Sequence, residues 1–269
     1  MPVWTLRSVQ RALSMNRALV IALQLGVGVL GLAAWHFLTT IPAPKEPLLS
    51  QFFFSTPADV LSRTWSDIAS GVLWKHLWIT GIETVLAFTI GALSGLAAGF
   101  WFARRALLAA VFDPYIKAAN ALPRVVLAPI FALWFGLGIW SKVALGVTLV
   151  FFIVFFNVYQ GVKEVSPQIL ANARMLGMNE RQLLRHVYLP SALSWVFSSL
   201  HTSVGFALVG AVVGEYLGSA AGLGYRISQA EGVLDVTGVF SGMLVLAVFV
   251  VVIDIFVTLI ERRLLAWKG

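Results

Sequence analysis

Residues 166–190 read SPQILANARMLGMNERQLLRHVYLP, and the reading of this stretch decides what kind of fold surrounds it. Ser166 is placed to cap a helix and Pro167 to fill its first position, where a missing N–H costs nothing. Ile169, Leu170, Ala173 and Leu176 recur at helical spacing and predict one apolar face. Gly177 suits the left-handed position that ends such a helix. Asn179 predicts a second cap, with Glu180 in the first turn and the basic Arg181 and Arg185 after it. Leu183, Leu184 and Val187 make the second apolar face, and Pro190 hands the chain onward. Two short helices hinged at a glycine form a firm polar knob.

Outward from the knob, the chain is apolar on both sides. Its 269 residues are 59% hydrophobic and 12% charged, with a mean hydropathy of +0.88. A water-soluble domain of this size needs far more charge to cover its surface. Runs long enough to cross a bilayer, about 20 residues each, are read at 18–41, 76–102, 114–137, 141–161, 191–217 and 239–260. The expected fold is thus all-α and integral to the membrane, with six transmembrane helices. The first run follows Arg7, Arg11 and Arg17 in the manner of a signal peptide. It is longer than a signal core and lacks a small-x-small cleavage site, so it is read as an uncleaved first span. Two units are expected, 1–75 with the first span and an outer (periplasmic) segment, and 76–269 as a core carrying the cytoplasmic loop 162–190.

Basic residues set the orientation. With both ends inside, the inner segments hold twelve: Arg7, Arg11, Arg17, Arg104, Arg105, Lys163, Arg174, Arg181, Arg185, Arg262, Arg263 and Lys268. The outer segments hold five: Lys45, Arg63, Lys75, Lys142 and Arg226. The bias places both termini in the cytoplasm. It also accounts for the net charge of +7 without nucleic acid. There are no cysteines and four histidines without metal-ligand spacing, so thiol chemistry is excluded and neither a metal site nor a catalytic residue is expected.

The third run is the least regular. Asp113-Pro114 reads as its helix start, while Pro123 and Pro129 interrupt the hydrogen-bond ladder at membrane depth. Such a break is tolerated against protein or a water-filled cavity, not against lipid. The second and fifth runs carry Gly91-x-x-x-Gly95-x-x-x-Gly99 and Gly210-x-x-x-Gly214-x-x-x-Gly218. Small residues at this spacing let backbones approach, and seams within one bundle are the leading reading, with a seam between subunits the alternative.

The spacing Gly177, nine residues, Val187, Tyr188, Leu189, Pro190 resembles the EAA loop of binding-protein-dependent ABC importer permeases. Ala171-Asn172-Ala173 stands where that family has Glu-Ala-Ala, and Arg174 follows. Leu122-Pro123, Pro129, Leu133 to Gly138, Ser141-Lys142, Asn157-x-x-x-Gly161-Val162, Glu215-x-x-Gly218, Ala221 to Tyr225 and Glu261 to Arg263 are similar to the nitrate, sulfonate and taurine group, which is related to permeases for thiamine-precursor pyrimidines. The resemblance implies a type I ABC importer permease fold in the bacterial cytoplasmic membrane. It implies three kinds of partner in the surrounding lipid: a cytoplasmic ABC ATPase dimer, a second permease copy, and an external solute-binding protein. ATP and Mg would be bound by the ATPase, and no cofactor by this chain. Ala171, Asn172, Ala173, Arg174, Gly177, Val187, Leu189 and Pro190 would couple to that ATPase. No G-x-x-x-x-G-K-[ST] occurs, in keeping with this division of labour.

For the translocation path the candidates are Pro123, Arg124, Asn157, His201 and Glu215. A charge at the bilayer centre costs about 2.5–3.5 kcal/mol on insertion scales, so Arg124 is expected to face a cavity or a partner. It attracts an anionic solute on one reading and is an acid-paired or snorkelling structural group on the other. Glu83, Glu215 and Asp254 are expected to pair with Arg124 or with helix ends, and His201 either lines the path or packs. A proton-coupled secondary transporter would show paired broken helices in repeated halves, and a membrane-embedded enzyme a concentrated set of reactive groups. Neither pattern is present in the sequence.

Overall fold

Every element among the described residues of the computed structural model is helical; these residues are 17–40, 49–191, 195 and 200–264. The chain divides into two compact units, residues 1–63 and 64–269.

The first unit is built on α1 (Arg17–Thr40), an apolar helix with its side chains turned outward: Val27 and Leu30 are 71% and 70% exposed. Nothing polar is sacrificed by that exposure in a bilayer, where lipid replaces the missing core. Its end is tied to the short α2 (Gln51–Phe54), as the Gln51 amide donates to the Thr39 carbonyl at 3.0 Å and the Trp35 indole to Phe54 at 3.2 Å. Thr56 then caps α3 (Pro57–Ala69) by accepting from the Asp59 amide at 3.2 Å.

The second unit grows around α4 (Val72–Arg104) and α7 (Ile139–Lys163), joined later by α10 (Leu200–Leu217). A methyl group added at Gly91, Gly95 or Gly99 would lie 2.7 Å from Val150 Cβ, 2.7 Å from the Phe151 carbonyl or 2.6 Å from the Phe155 carbonyl. The second run's glycines are therefore a seam within the chain, between α4 and α7. Gly146 is the crossing point of three helices, since its added methyl would meet Ala87 of α4 at 2.6 Å and Gly210 of α10 would meet Gly146 itself at 2.4 Å. Ala87, Val150, Val154, Val158, Val162 and Ala207 form the buried core along this crossing. Without a hydrophobic drive between helices in lipid, such close approach is what holds them together.

The third run departs from expectation. It is not one helix begun at Asp113-Pro114. Helix α5 (Ala106–Ala121) carries Pro114 in its interior, a 3-10 turn follows at Arg124–Leu127, and α6 (Ala128–Phe135) continues after a bend of 85°. Asp113 does not cap; it pairs with Lys117 one turn on, at 2.7 Å. The alanine- and leucine-rich residues before it extend the helix backwards, and one proline removes only a single ladder bond. The break falls at Leu122-Pro123, as the prolines require.

Among the described residues four single helices are long and apolar enough to span a membrane, and the bent pair makes up to five. The run at 191–217 is described as helix over Leu200–Leu217, and part of the remainder lies outside the described residues. The stretch 218–238, between the last two apolar runs, contains a further helix, α11 (Leu223–Gly232), which packs on the last, α12 (Val236–Leu264). Within the second unit, which begins at Thr64, an ion pair of 2.6 Å joins the mostly buried Arg226 to Asp67 and a hydrogen bond of 2.8 Å joins Thr64 to Ser241.

Candidate functional site

The knob forms as its local chemistry requires. Helix α8 (Pro167–Met175) is capped by Ser166, whose hydroxyl accepts from the Gln168 amide. Gly177 has φ +79°, and the amides of Gly177 and Met178 bond back to the carbonyls of Arg174 at 3.0 Å and Ala173 at 3.1 Å. That double closure satisfies the helix's last carbonyls. Asn179 opens α9 (Glu180–Leu183) with a reciprocal capping box to Gln182, at 2.9 and 2.8 Å. A π turn over Leu184–Tyr188 follows, in which the Leu189 amide reaches the Leu184 carbonyl. The widened turn makes room for Pro190, which has no N–H and would crowd the carbonyl four residues back.

The apolar face of α8 is only half buried. Ala173 is enclosed and Leu170 partly so, whereas Ile169, Met175 and Leu176 are 53%, 79% and 79% exposed. Helical spacing alone did not reveal which apolar side chains would stay outside. Ala171, Asn172 and Arg174 are exposed beside them.

The base of the knob is tied to the bundle. Glu180 forms an ion pair with Arg104, the last residue of α4, and lies 3.9 Å from Arg174. The Arg104 guanidinium is 5.8 Å from the centre of the Tyr188 ring, which meets Phe100 edge to face. Leu183 is 1% exposed, and the Ser191 hydroxyl donates to the Gly161 carbonyl at 2.7 Å. The base of the knob is therefore held at the ends of α4 and α7.

At the other end of the bundle lies a buried polar cluster that sequence reading had not assembled. Glu215 is fully buried; one carboxylate oxygen accepts from Thr80 at 2.6 Å and the other from the Gly224 amide at 2.7 Å. Thr80 accepts from the Leu223 amide at 2.9 Å, and His76 Nδ1 from the Gly222 amide at 3.0 Å, so its proton sits on Nε2. Three successive amides at the start of α11 are thus satisfied from α4 and α10, with a carboxylate at the positive end of the helix. Gly222 (φ +116°) and Gly224 are needed for this approach: an added methyl would lie 2.1 Å from the Glu215 carboxyl carbon and 2.2 Å from the Val212 carbonyl.

Glu83 and Lys142 complete the cluster, 1% and 0% exposed. The Lys142 ammonium donates to the carbonyls of Leu137 at 2.6 Å and Gly138 at 3.1 Å. Lys142 was counted among the outer loop cations; it is a buried structural charge, laid across Gly214. The signal available was the polar series His76, Thr80, Glu83 and Thr84, which shares one face of an otherwise apolar helix.

The five path candidates are not brought together: among the described residues no hydrogen bond or ion pair joins any two of them. Arg124 donates to the Asn120 carbonyl at 2.9 Å and to the Asn120 side chain, and lies 4.9 Å from the centre of the Phe152 ring. Among the described residues it pairs with no acid. Pro123 forms the exposed corner of the bend. Asn157 is half-buried and donates to its own helix at Ile153, 2.7 Å away. His201 bonds Thr258 at 3.0 Å and lies 2.9 Å from Glu261 and 3.7 Å from Asp254. Of the acids expected to pair with Arg124 or with helix ends, Glu215 caps the start of α11 and Asp254 lies beside His201.

The profile of the family described as binding-protein-dependent transport system inner membrane component matches residues 91–266. The chain is 32% identical to the riboflavin transport system permease protein of Chloroflexus aurantiacus, over 81% of each chain. It is 34% identical to the putative aliphatic sulfonates transport permease protein of Bacillus subtilis, over 82% of this chain and 80% of that one. Identity is also 34% to the formylaminopyrimidine transport permease protein of Halalkalibacterium halodurans, over 81% and 86%. In fold it resembles a chain of the inward-facing MetNI methionine ABC transporter, with a TM-score of 0.62 and 18% identity over 71% of this chain and 95% of that one.

Proposed function

The chain belongs to the family of binding-protein-dependent transport system inner membrane components, and as this membrane subunit of an ABC importer, we propose, it carries a small anionic organic solute inward on ATP hydrolysed by a separate ATPase docked on residues 166–190. The observation that carries the coupling role is the knob: a rigid, doubly capped projection with Ile169, Met175 and Leu176 exposed at its tip and its base fastened to α4 and α7. Exposed aliphatic side chains on a polar projection are what a soluble partner's groove takes up. ATP and Mg are assigned to that partner, since this chain lacks a phosphate-cradling loop.

The work is alternating access. Closure of an ATPase dimer pushes the knob, and the helices at its base tilt; the push is productive because the two arrangements of the helices offer the partner different contacts. Ala171, Asn172, Ala173, Arg174 and Gly177 are the contact or hinge positions, and Val187, Leu189 and Pro190 relay movement into the following helix. A second permease copy is assigned to the broken span, where Val126, Leu133 and Trp134 are 66%, 83% and 69% exposed beside irregular backbone. Irregular backbone at membrane depth calls for protein or water as its neighbour. Lipid surrounds the remaining apolar faces, and an external binding protein delivers the solute.

The anionic reading rests on Arg124, a cation in the bend with no acid paired to it among the described residues, and on the sulfonate relative. A pyrimidine of the thiamine-precursor type is the second reading, favoured by the formylaminopyrimidine relative and by the flat Phe152 ring beneath Arg124.

Docking is tested by co-purification. The chain should retain a soluble Walker-motif ATPase, and Leu176→Asp should weaken that retention by about tenfold or more, as expected for an interface anchor. Undiminished retention by Leu176→Asp together with Met175→Asp would remove the docking assignment.

A further inference from the structure

The inner half of α4 carries a cavity of about 700 Å³, separate from the knob's tip and from the buried carboxylates. Leu93, Leu96, Phe100 and Trp101 form one wall and Leu184 and Leu189 the other, with Arg104 and Arg105 at one end. The walls are hydrocarbon and aromatic, and the rim is cationic. Arg104 is occupied by Glu180. Arg105 is exposed, and among the described residues nothing pairs with its side chain.

The depth of this cavity in the membrane follows from the helix. Trp78 and Trp101 are both more than half exposed on α4, and they lie about 35 Å apart at 1.5 Å per residue, close to the span of a bilayer between its aromatic belts. Leu93 to Trp101 then cover about 12 Å of the inner leaflet. Arg104 and Arg105 come just past the belt, at the level of the headgroups. An acyl chain fits the walls, and a phosphate at the rim meets the arginine that lacks an internal partner. Basic pockets between membrane helices on the cytoplasmic side take anionic headgroups.

We infer that this cavity is a specific site for an anionic phospholipid, with one acyl chain between α4 and the Leu184–Leu189 segment and the headgroup on Arg105. On the proposed function, the segment holding Leu184 and Leu189 relays motion out of the knob, so a bound lipid lies against the moving part.

The test uses the whole permease–ATPase complex, stripped of lipid in detergent and offered equal amounts of palmitoyl-oleoyl phosphatidylglycerol and phosphatidylcholine, with retained lipid counted by native mass spectrometry. Phosphatidylglycerol should be retained about fivefold over phosphatidylcholine, the worth of one basic side chain at a membrane surface. Arg105→Gln, at an exposed site, should abolish that preference. Ala97→Phe, also exposed and lining the cavity, should displace both lipids. Free inorganic phosphate at the same concentration should not compete. Equal retention of the two lipids overturns the inference, as does retention indifferent to both substitutions. So does a disulfide between Leu93→Cys residues of two copies formed without loss of retained lipid; the absence of natural cysteines makes that cross-link unambiguous.

Discussion

The carboxylate of Glu215 lies 2.7 Å from the amide of Gly224, nine residues further on, and so caps a helix from across a turn. Its other oxygen holds Thr80 of α4 at 2.6 Å. One side chain therefore fixes α11 to two spans. Glu215→Ala leaves the buried Gly224 amide unsatisfied, at about 1–3 kcal/mol, while the Thr80 hydroxyl keeps the His76 carbonyl at 3.1 Å. Thermal unfolding of the purified protein in detergent, followed by tryptophan fluorescence, should show a clear loss for Glu215→Ala and a smaller one for Glu215→Gln. A wild-type melting curve for Glu215→Ala would contradict the capping role.

Gly95 and Gly26 make a controlled pair. A methyl at Gly95 would sit 2.7 Å from the Phe151 carbonyl, whereas one at Gly26 in α1 meets nothing within 4 Å. Gly95→Ala should destabilise by about 1–3 kcal/mol through overpacking. Gly26→Ala should be neutral or gain up to about 1 kcal/mol from helix propensity. The same melting measurement decides; equal effects would mean that the α4–α7 seam is not closed.

Arg124 is the test of solute charge. Arg124→Gln should lower uptake of an aliphatic sulfonate by about tenfold, the value of one charge-assisted hydrogen bond. A neutral pyrimidine should be taken up as before. Equal uptake of the sulfonate by variant and wild type in proteoliposomes would return Arg124 to a structural role with Asn120 and Phe152.

The pair Arg104–Glu180 is exposed, with 64% of the Glu180 side chain open to solvent, so its worth is limited to about 0–1 kcal/mol. Glu180→Arg should reduce uptake by about twofold to fivefold in low salt, and less in high salt where such charges are screened. Adding Arg104→Glu to the reversed variant should restore uptake. Failure of the double reversal to recover any uptake would show that the pair does not position the knob.

How much of this was legible in the sequence depends on how local its cause is. The knob was readable because Ser166, Pro167, Gly177 and Asn179 act within a few residues of themselves. Helix α11 was not, because its N-terminal amides are satisfied by Glu215, Thr80 and His76, none of them a neighbouring cap. Asp113-Pro114 resembled a helix start because the start rule is local, while the helix it sits in begins at Ala106. Lys142 was placed in solvent because its position near a span end was visible, whereas the carbonyls that enclose it were not. The exposed Met175 and Leu176 show the same limit: apolar spacing predicts a helical face but not what covers it.

The central claim is that residues 166–190 transmit the work of ATP hydrolysis, and Gly177 isolates it. Its φ of +79° costs a β-branched residue about 1–2 kcal/mol but is tolerated by asparagine. The direct measurement is solute imported per ATP hydrolysed, in proteoliposomes holding the permease, its ATPase and its binding protein. Gly177→Asn should keep the wild-type ratio, and Gly177→Val, inserted in the membrane to the same level, should lower it by about tenfold, the effect of about 1.4 kcal/mol. An unchanged ratio for Gly177→Val would contradict the account.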